Sequence, residues 1–426
     1  MTATEQGSGN ERVRRQYERF PYPTAEQDLA PWARGQVMEI GFPSLFFHHY
    51  WPRRPATEAL EILIAGCGTS QAARYAAAHP RARITGIDLS RASLDACERL
   101  ANEYGLENLS LQQMPLEDVS RLGEGRYDLV VSTGVIHHLP APAAGLSALR
   151  RVVKPDGALA LMLYAPHGRD AIYYLQEFCK RLGLSADQVS DTEVAQLKEM
   201  LRQLPASHPL RHRRSLFPDL DSPAELVDYL LHPIDRPYTL EQANDLLENC
   251  GFRLQGLFQR GHYEPLATAL QASPWGDRIH SLPDLERWSL GEHYRASLFK
   301  HEIIACPDSV AAAQRRLRAE DDDWQGHIPV PAPGLRKDFL SPPEGKAGVM
   351  SWPFHAFDDI RRAYDRREAA WIGRMDGRRP LAEIVRATGD RPDNADWRAL
   401  RRLVSEMDAL DFICLRGAES GSLMEN

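Results

Sequence analysis

The fold of this chain is decided by two segments, EILIAGCGTS at residues 61–70 and ITGIDLS at residues 84–90. The first is an apolar run that breaks into a glycine-rich turn, and the second is an apolar run that ends at the carboxylate of Asp88. This pattern predicts the first two strands of a nucleotide-binding α/β sheet, with a turn bare enough for a ligand to touch the backbone. Gly68 and Asp88 are about 20 residues apart, a spacing typical of an acid that accepts hydrogen bonds from ribose hydroxyls.

The turn lacks one feature of dinucleotide sites. In the G-x-G-x-x-G pattern a third glycine lets a helix N-terminus approach a pyrophosphate, and this chain has Gln71 in that position. A turn without that glycine favours a ligand that carries ribose and adenine but no phosphate. S-adenosylmethionine fits this description better than a nicotinamide dinucleotide does.

Two further motifs follow in order, YDLVVSTGVIHHLP at residues 127–140 and VVKPDG at residues 152–157. Together with the glycine turn and Asp88, they resemble the class I S-adenosylmethionine-dependent methyltransferases over residues 55–165. A wider stretch to residue 305 resembles a bacterial group of these enzymes that shares a Tyr-Pro-rich leader. The resemblance implies a doubly wound, mostly parallel Rossmann-like sheet.

Strand and helix patterns alternate from residue 59 to 163, as expected for a parallel sheet covered on both faces. The region after residue 169 has a helical pattern, and a proline-rich and acidic stretch follows residue 306. We therefore expect six regions: a leader at 1–50, the cofactor-binding core at 51–168, a helical acceptor-cap insertion at 169–232, completion of the core at 233–305, a linker at 306–350, and a winged-helix-like domain at 351–426.

The leader and the tail each leave two or more roles open. The leader either covers the cofactor pocket as a lid or packs as a helix on the sheet edge. In the tail, DGRRPLAEIV at residues 376–385 resembles small winged-helix peptide-binding modules of peptide-modifying pathways. Peptide binding, homodimerisation and simple docking are the alternatives for that domain.

The resemblance also implies the cofactor contacts. Gly66 and Gly68 let the backbone approach the aminoacyl part, since glycine has no Cβ; Asp88 binds the ribose or, alternatively, only caps the helix from Ser90. The full predicted cofactor set is Gly66, Cys67, Gly68, Asp88, Leu89, Met114, Leu116, Ser132 and Thr133.

His137 is the preferred catalytic base, because the pKa of an imidazole lies near neutral pH. Tyr164 is the second catalytic candidate. The residues expected to contact the acceptor are Tyr17, Tyr22, His138, Tyr173 and His232.

Composition narrows the function classes further. The chain has 426 residues and a formal charge of −8, which gives no reason to expect nucleic acid as a partner. Its six cysteines are scattered without C-x-x-C pairs, so we expect reduced thiols and no metal site. No segment has the apolar length of a membrane span or signal core, and we expect a cytoplasmic protein.

The sequence thus predicts an S-adenosylmethionine-dependent methyltransferase that releases S-adenosylhomocysteine. The predicted acceptor is a small or natural-product-like molecule with an O, N or activated C nucleophile. One alternative is a peptide acceptor captured by the C-terminal module. A second is a non-catalytic S-adenosylmethionine-binding protein, left open because Ile64 stands where many members of the family carry an acid.

Overall fold

A computed structural model describes residues 3–37, 39, 41–212, 220, 222–265, 270, 273–338, 344–353, 360–388 and 392–418. The insertion and tail regions expected from the sequence each include residues outside these ranges. Two compact units are present. The first comprises Met1–Val37, Ala59–Arg253 and Ser297–His301, and the second comprises Met38–Glu58, Leu254–Ala296 and Glu302–Asn426.

A seven-stranded sheet organises the fold, with strand order β3-β2-β1-β4-β5-β7-β6. Its strands are β1 Glu61–Ala65, β2 Arg83–Asp88, β3 Leu109–Gln113, β4 Tyr127–Thr133, β5 Val153–Tyr164, β6 Phe252–Leu257 and β7 Lys300–Pro307. The pairs β1–β2, β1–β4, β2–β3 and β4–β5 are parallel. The predicted mostly parallel, Rossmann-like sheet is therefore confirmed, including the two late strands that complete it.

The order of the strands places the carboxyl ends of β1, β2 and β4 side by side at one edge of the sheet. Chain order runs outward from β1 to β3 and then returns to β4 on the other side of β1. Such a reversal leaves a crevice beyond the strand ends, where ligands bind in open α/β sheets. The glycine turn follows β1, and Asp88 ends β2, so both predicted ligand elements lie at this crevice.

Some helices of the first unit pack on strands of this sheet, and others form a separate apolar core. They are α1 Ala3–Arg19, α2 Ala30–Ala33, α4 Gln71–Ala78, α5 Arg91–Glu103, α6 Pro142–Val152, α7 Pro166–Arg181, α8 Asp191–Arg202, α9 Pro209–His212, α10 Pro223–Leu231 and α11 Leu240–Asn249. Helices α7 to α10 bury a cluster that includes Ile172 and Val227, both fully buried. The described residues of 169–232 include most of these four helices, and the assignment of this region as an acceptor-cap insertion stays a prediction.

The second unit contains α3 Pro43–Tyr50, α12 Gly276–His280, α13 Asp284–Arg295, α14 Arg366–Ile372, α15 Leu381–Arg386 and α16 Asn394–Ala409. Its short strands are β8 Ile328–Pro331, β9 Arg336–Asp338, β10 Gly348–Ser351, β11 Arg361–Tyr364 and β12 Ile413–Arg416. They form an antiparallel pair, β12–β8, and an antiparallel sheet of order β11-β10-β9. The winged-helix assignment of the tail stays a prediction.

The segment expected to be a linker, 306–350, includes three of these short strands. In β8 the backbone N–H groups that face β12 belong to alternate residues, and Ala332 continues that series by donating to the carbonyl of Phe412 at 2.9 Å. Pro329 and Pro331 occupy the intervening positions, where a missing N–H costs no ladder hydrogen bond. A proline-rich composition is therefore compatible with an edge strand here.

Among the helices of the described residues, none combines the length and the apolar character that crossing a membrane requires.

Candidate cofactor and acceptor site

A cavity of about 240 Å³ lies in the first unit at the crevice beyond β1, β2 and β4. Eight of the nine predicted cofactor residues line it: Gly66, Cys67, Gly68, Asp88, Leu89, Met114, Leu116 and Thr133. Ser132 does not line it, and its buried Oγ has no hydrogen-bond partner among the described residues. The cavity therefore brings together the residues on which the cofactor prediction rests.

Hydrogen bonds to the backbone of β2 fix the glycine turn. The amides of Gly66 and Cys67 both donate to the carbonyl of Ile87, at 2.8 and 2.9 Å. Gly66 and Gly68 have φ angles of 80° and 53°, in the left-handed region that disfavours side chains. A Cβ on Gly66 would lie 2.2 Å from Val135 Cγ2, so the turn requires glycine for both conformation and space.

Asp88 organises the same turn from the end of β2. Its Oδ2 accepts from the amide of Gly68 at 2.8 Å, and its Oδ1 accepts from the amide of Ser90 at 2.9 Å. Burial raises the pKa of this carboxyl, and the two amide donors oppose that shift. Asp88 thus bonds the amide of Ser90, the N-cap residue whose own Oγ accepts from the Ser93 amide of α5, and Asp88 also lines the cavity.

The wall of the cavity beyond β3 combines apolar side chains with one carboxylate. Met114 and Leu116 line it together with Glu117. Glu117 Oε1 accepts from Asn10 Nδ2 at 3.4 Å, whereas its buried Oε2 has no hydrogen-bond partner among the described residues. This arrangement offers apolar surface for a ring and an acceptor for an exocyclic amino group.

The leader reaches the cavity through Tyr17, Tyr22 and Pro23, which all line it. Two contacts fix this position: Thr69 Oγ1 donates to the carbonyl of Pro23 at 2.7 Å, and Glu18 Oε1 accepts from the amide of Arg91 at 2.8 Å. The leader therefore both borders the pocket and packs on α5. Its action as a lid stays a prediction.

The structure separates the two adjacent histidines. His138 lines the cavity, whereas His137 does not. His137 is fully buried, its ring lies 4.0 Å from the Tyr164 ring, and neither ring nitrogen has a partner among the described residues. Desolvation holds the pKa of His137 well below its usual value, and the nearby His138, Arg169 and His232 add to that effect.

Tyr164 lines the cavity, and a buried ion pair lies behind it. The guanidinium carbon of Arg169 is 3.5 Å from the centre of the Tyr164 ring, and its Nη2 lies 3.1 Å from Asp235 Oδ2. Arg169 Nε also donates to the hydroxyl of Tyr173 at 3.2 Å. Tyr173, predicted to contact the acceptor, does not line the cavity and instead supports this ion pair.

His232 also lies behind the cavity wall, in a polar chain with the leader. The Tyr17 hydroxyl is 3.2 Å from His232 Nε2 and donates to Asp228 Oδ1 at 3.0 Å. Gln16 Nε2 donates to the same Asp228 oxygen at 3.3 Å. Sequence reasoning missed Asp228, because nothing in the helical pattern of α10 marks it as more than one polar position.

Ligand atoms of His138, Asp228 and His232 lie within 4.8 Å of one another, close enough for a metal ion. The hydrogen bonds around them do not fit this use. His232 Nδ1 accepts from the amide of Ile234 at 3.1 Å, so coordination through Nε2 would require an imidazolate or the loss of that bond. The geometry therefore favours a hydrogen-bonded network at these three residues.

Comparison with known proteins places this site in a family. A family model described as a methyltransferase domain matches residues 63–159. A demethylmenaquinone methyltransferase from Chlamydia pneumoniae is 30% identical over 183 residues, which are 39% of this chain and 75% of that protein.

Two other matches, one in sequence and one in structure, extend the similarity beyond the core. An uncharacterized protein from Synechococcus sp. is 30% identical over 280 residues, or 65% of this chain, and the match spans 66% of that protein, just under two thirds. The solved structure of PKMT2 from Rickettsia typhi in complex with AdoHcy has a TM-score of 0.60 at 12% identity, covering 93% of this chain and 77% of the other. The last match shows the shared fold. The chain belongs to the class I S-adenosylmethionine-dependent methyltransferases, and S-adenosylmethionine is its cofactor.

Proposed function

We propose that the cavity of the first unit binds S-adenosylmethionine along the glycine turn and that the methyl group goes to a small or natural-product-like acceptor. The observation that carries this proposal is the enclosure of one cavity by the turn, Asp88, the leader tyrosines and His138. Bound there, the cofactor supplies a methyl group on a positively charged sulfur. The remaining chemistry belongs to the side chains around it.

The residues present fit the cofactor. Gly66 and Gly68 expose backbone where a Cβ would clash, and Asp88 presents a carboxylate for the ribose hydroxyls. Met114 and Leu116 supply apolar surface for adenine. The unpartnered Oε2 of Glu117 is a buried acceptor suited to the adenine amino group, since a buried acceptor left unpaired is costly.

The leader supports a small acceptor over a peptide. Tyr17 and Tyr22 border the cavity at the end where His138 and Tyr164 lie. Aromatic side chains offer flat apolar contact with a polar tip, which suits a compact molecule with an O, N or activated C nucleophile. Alignment of the nucleophile contributes most to such a displacement. Tyr164 stays the second catalytic prediction, because it lines the cavity.

The test is transfer of a labelled methyl group. The full chain is incubated with methyl-labelled S-adenosylmethionine and, in parallel, with the small-molecule and peptide fractions of a bacterial extract, followed by mass spectrometry. We expect the label in the small-molecule fraction. Label confined to the peptide fraction would favour the alternative acceptor, and binding without any transfer would favour a non-catalytic protein.

A further inference from the structure

We call the part of the cavity near Tyr17, His138 and Tyr164 the acceptor end. One side chain there, His138, lines the cavity and has a defined tautomer. His138 lines the cavity, and its Nδ1 lies 2.6 Å from the carbonyl oxygen of Ile234. We infer that His138, rather than its neighbour His137, accepts the proton that the acceptor loses during methyl transfer. This inference rests on the proposed function and names the residue on which that function depends.

The backbone of Ile234 fixes the tautomers of two histidines. A carbonyl oxygen only accepts, so His138 Nδ1 must carry a hydrogen, and the neutral ring then has its lone pair on Nε2. The amide of the same residue donates to His232 Nδ1, so His232 carries its hydrogen on Nε2, which lies against the Tyr17 oxygen. The Tyr17 hydroxyl in turn donates a hydrogen bond to Asp228. The Nε2–H of His232 therefore already donates a hydrogen bond, whereas His138 Nε2 has a lone pair that can accept a proton.

The His138 and His232 rings lie close together, yet their Nε2 atoms have different roles. The His138 and His232 ring centres lie 3.7 Å apart, nearly parallel. In the described part of the chain, no side chain or backbone group makes a hydrogen bond with His138 Nε2. A proton acceptor needs this combination of a fixed ring, a free lone pair and a position on the cavity wall.

The surroundings of His138 also suit a ring that gains a charge for part of the reaction. Burial lowers its pKa, which keeps the ring neutral and able to accept at neutral pH, while Asp235 and the Ile234 carbonyl favour the charged form. Among the described residues, His137 has no comparable hydrogen-bond partner at either ring nitrogen. The titratable and charged groups around His138 are Tyr17, His137, Tyr164, Arg169, Asp228, His232 and Asp235.

The step conserves atoms and electrons. For a hydroxyl acceptor, the O–H bond breaks and its proton moves to His138 Nε2, while the oxygen electron pair forms the new bond to the methyl carbon. The bond between that carbon and sulfur breaks at the same time, and sulfur keeps its electron pair. His138 then releases the proton to solvent. The inference therefore predicts an acceptor whose nucleophilic atom carries a removable proton.

The first experiment reads the tautomer without activity. The full chain is labelled with ¹⁵N-histidine, bound to S-adenosylhomocysteine and studied by NMR, and the His138 signals are assigned by their loss in His138→Gln. We expect Nδ1 protonated and Nε2 unprotonated at pH 7. A proton on Nε2 at that pH overturns the inference.

The second experiment uses the acceptor found by the labelled-methyl screen. His138→Gln should lower kcat on the order of 10²- to 10⁴-fold, the range expected for a lost general base, and leave S-adenosylhomocysteine affinity unchanged. His212→Gln is the control, because His212 is exposed on α9 and does not line the cavity. If His138→Gln binds the cofactor poorly, His138→Gly with added imidazole replaces it, and recovered turnover supports the role.

Wild-type kcat in His138→Gln, or no recovery with imidazole in a folded His138→Gly, overturns the inference. Absence of any acceptor in the screen counts against the proposed function instead, and the tautomer measurement then decides the inference by itself. The two failures are therefore distinguishable.

Discussion

The two ends of the cavity in the first unit are built in different ways. At the end where we propose that the cofactor binds, the cofactor end, a turn and a strand end 20 positions apart are joined by a hydrogen bond from the Gly68 amide to the Asp88 carboxylate. At the acceptor end, contacts join residues 211 positions apart, as between Tyr17 and Asp228. A local motif thus shapes the end where we propose that the cofactor binds, and long-range packing of polar side chains shapes the end where we propose that the acceptor binds.

The largest effect should come from breaking the buried ion pair of the acceptor end. Arg169 and Asp235 are both almost fully buried, so Arg169→Met leaves an unpaired carboxylate inside the protein. We expect the free energy of unfolding to fall by about 3–5 kcal/mol, measured by denaturant titration. Arg181→Met is the control, since Arg181 lies on the same helix in an exposed pair with Glu177, where the loss should be at most about 1 kcal/mol.

The double variant Arg169→Met, Asp235→Asn sharpens this test. Removing both charges should recover part of the lost stability, because the uncompensated charge, and not the missing packing, carries most of the cost. Equal losses in the single and double variants would contradict this account.

The next largest effect should come from steric overlap in the glycine turn, at the cofactor end. Gly66→Ala adds a Cβ at a left-handed φ of 80° and 2.2 Å from Val135 Cγ2. Strain and overlap together should cost about 2–4 kcal/mol and weaken S-adenosylhomocysteine binding, measured by thermal unfolding and calorimetry. Gly105→Ala is matched to it, because Gly105 has a φ of 61° and no atom of the described residues lies within 4 Å of the added carbon. Gly105→Ala should therefore show the conformational cost alone and keep cofactor affinity.

The contrast between the two ends also explains what the sequence could predict. The glycine turn, Asp88 and the strand pattern are local signals, and the structure confirms the sheet that they predict. The adjacent His137 and His138 look equivalent in sequence, and only the short helical turn after β4 decides which ring faces the cavity. Tyr173 could not be separated from a pocket residue either, since its position depends on Arg169 packing against Tyr164.

The tail shows a different reason why the sequence could not predict part of the fold. Prolines and acidic residues between 306 and 350 are typical of a linker, yet β8 includes two of those prolines. Its partner β12 lies more than 80 residues further along the chain, so no local pattern shows which N–H groups the ladder needs. Strand pairing over such a distance is settled only by the folded chain.

Removing the carboxylate of the cofactor end tests its role in binding. Asp88→Ala should weaken cofactor affinity by roughly 1–3 kcal/mol, the value of a hydrogen bond to a charged group, with an added contribution from the freed Gly68 amide. Calorimetry with S-adenosylmethionine gives this number directly. Asp95→Ala is the control, since Asp95 is exposed on α5 and pairs with Arg91. Unchanged affinity in Asp88→Ala would remove this residue from the site.

The last effect is gradual, because the change in stability at the acceptor end is spread over several pH units. Burial raises the pKa of Asp228 from 3.8 to about 7, against the hydrogen bond from Tyr17 that lowers it. The folded protein therefore holds a proton on Asp228 that the unfolded chain has lost, so stability is greatest below pH 3.8 for this group and falls as pH rises to about 7. The slope should be at most about 1.4 kcal/mol per pH unit.

Asp228→Asn removes this titration and keeps an acceptor for the Tyr17 hydroxyl. The free energy of unfolding of Asp228→Asn, followed by denaturant titration from pH 4 to 8, should lose this slope and exceed that of the wild type above pH 7. Asp245→Asn, an exposed change on α11, should retain the wild-type slope. The groups facing Asp228 are Gln16, Tyr17, His138, Arg169, Glu225, His232 and Asp235. If Asp228→Asn kept the full pH dependence, one of these neighbours would carry the proton, and the polar chain from His232 through Tyr17 would have to end at a different group.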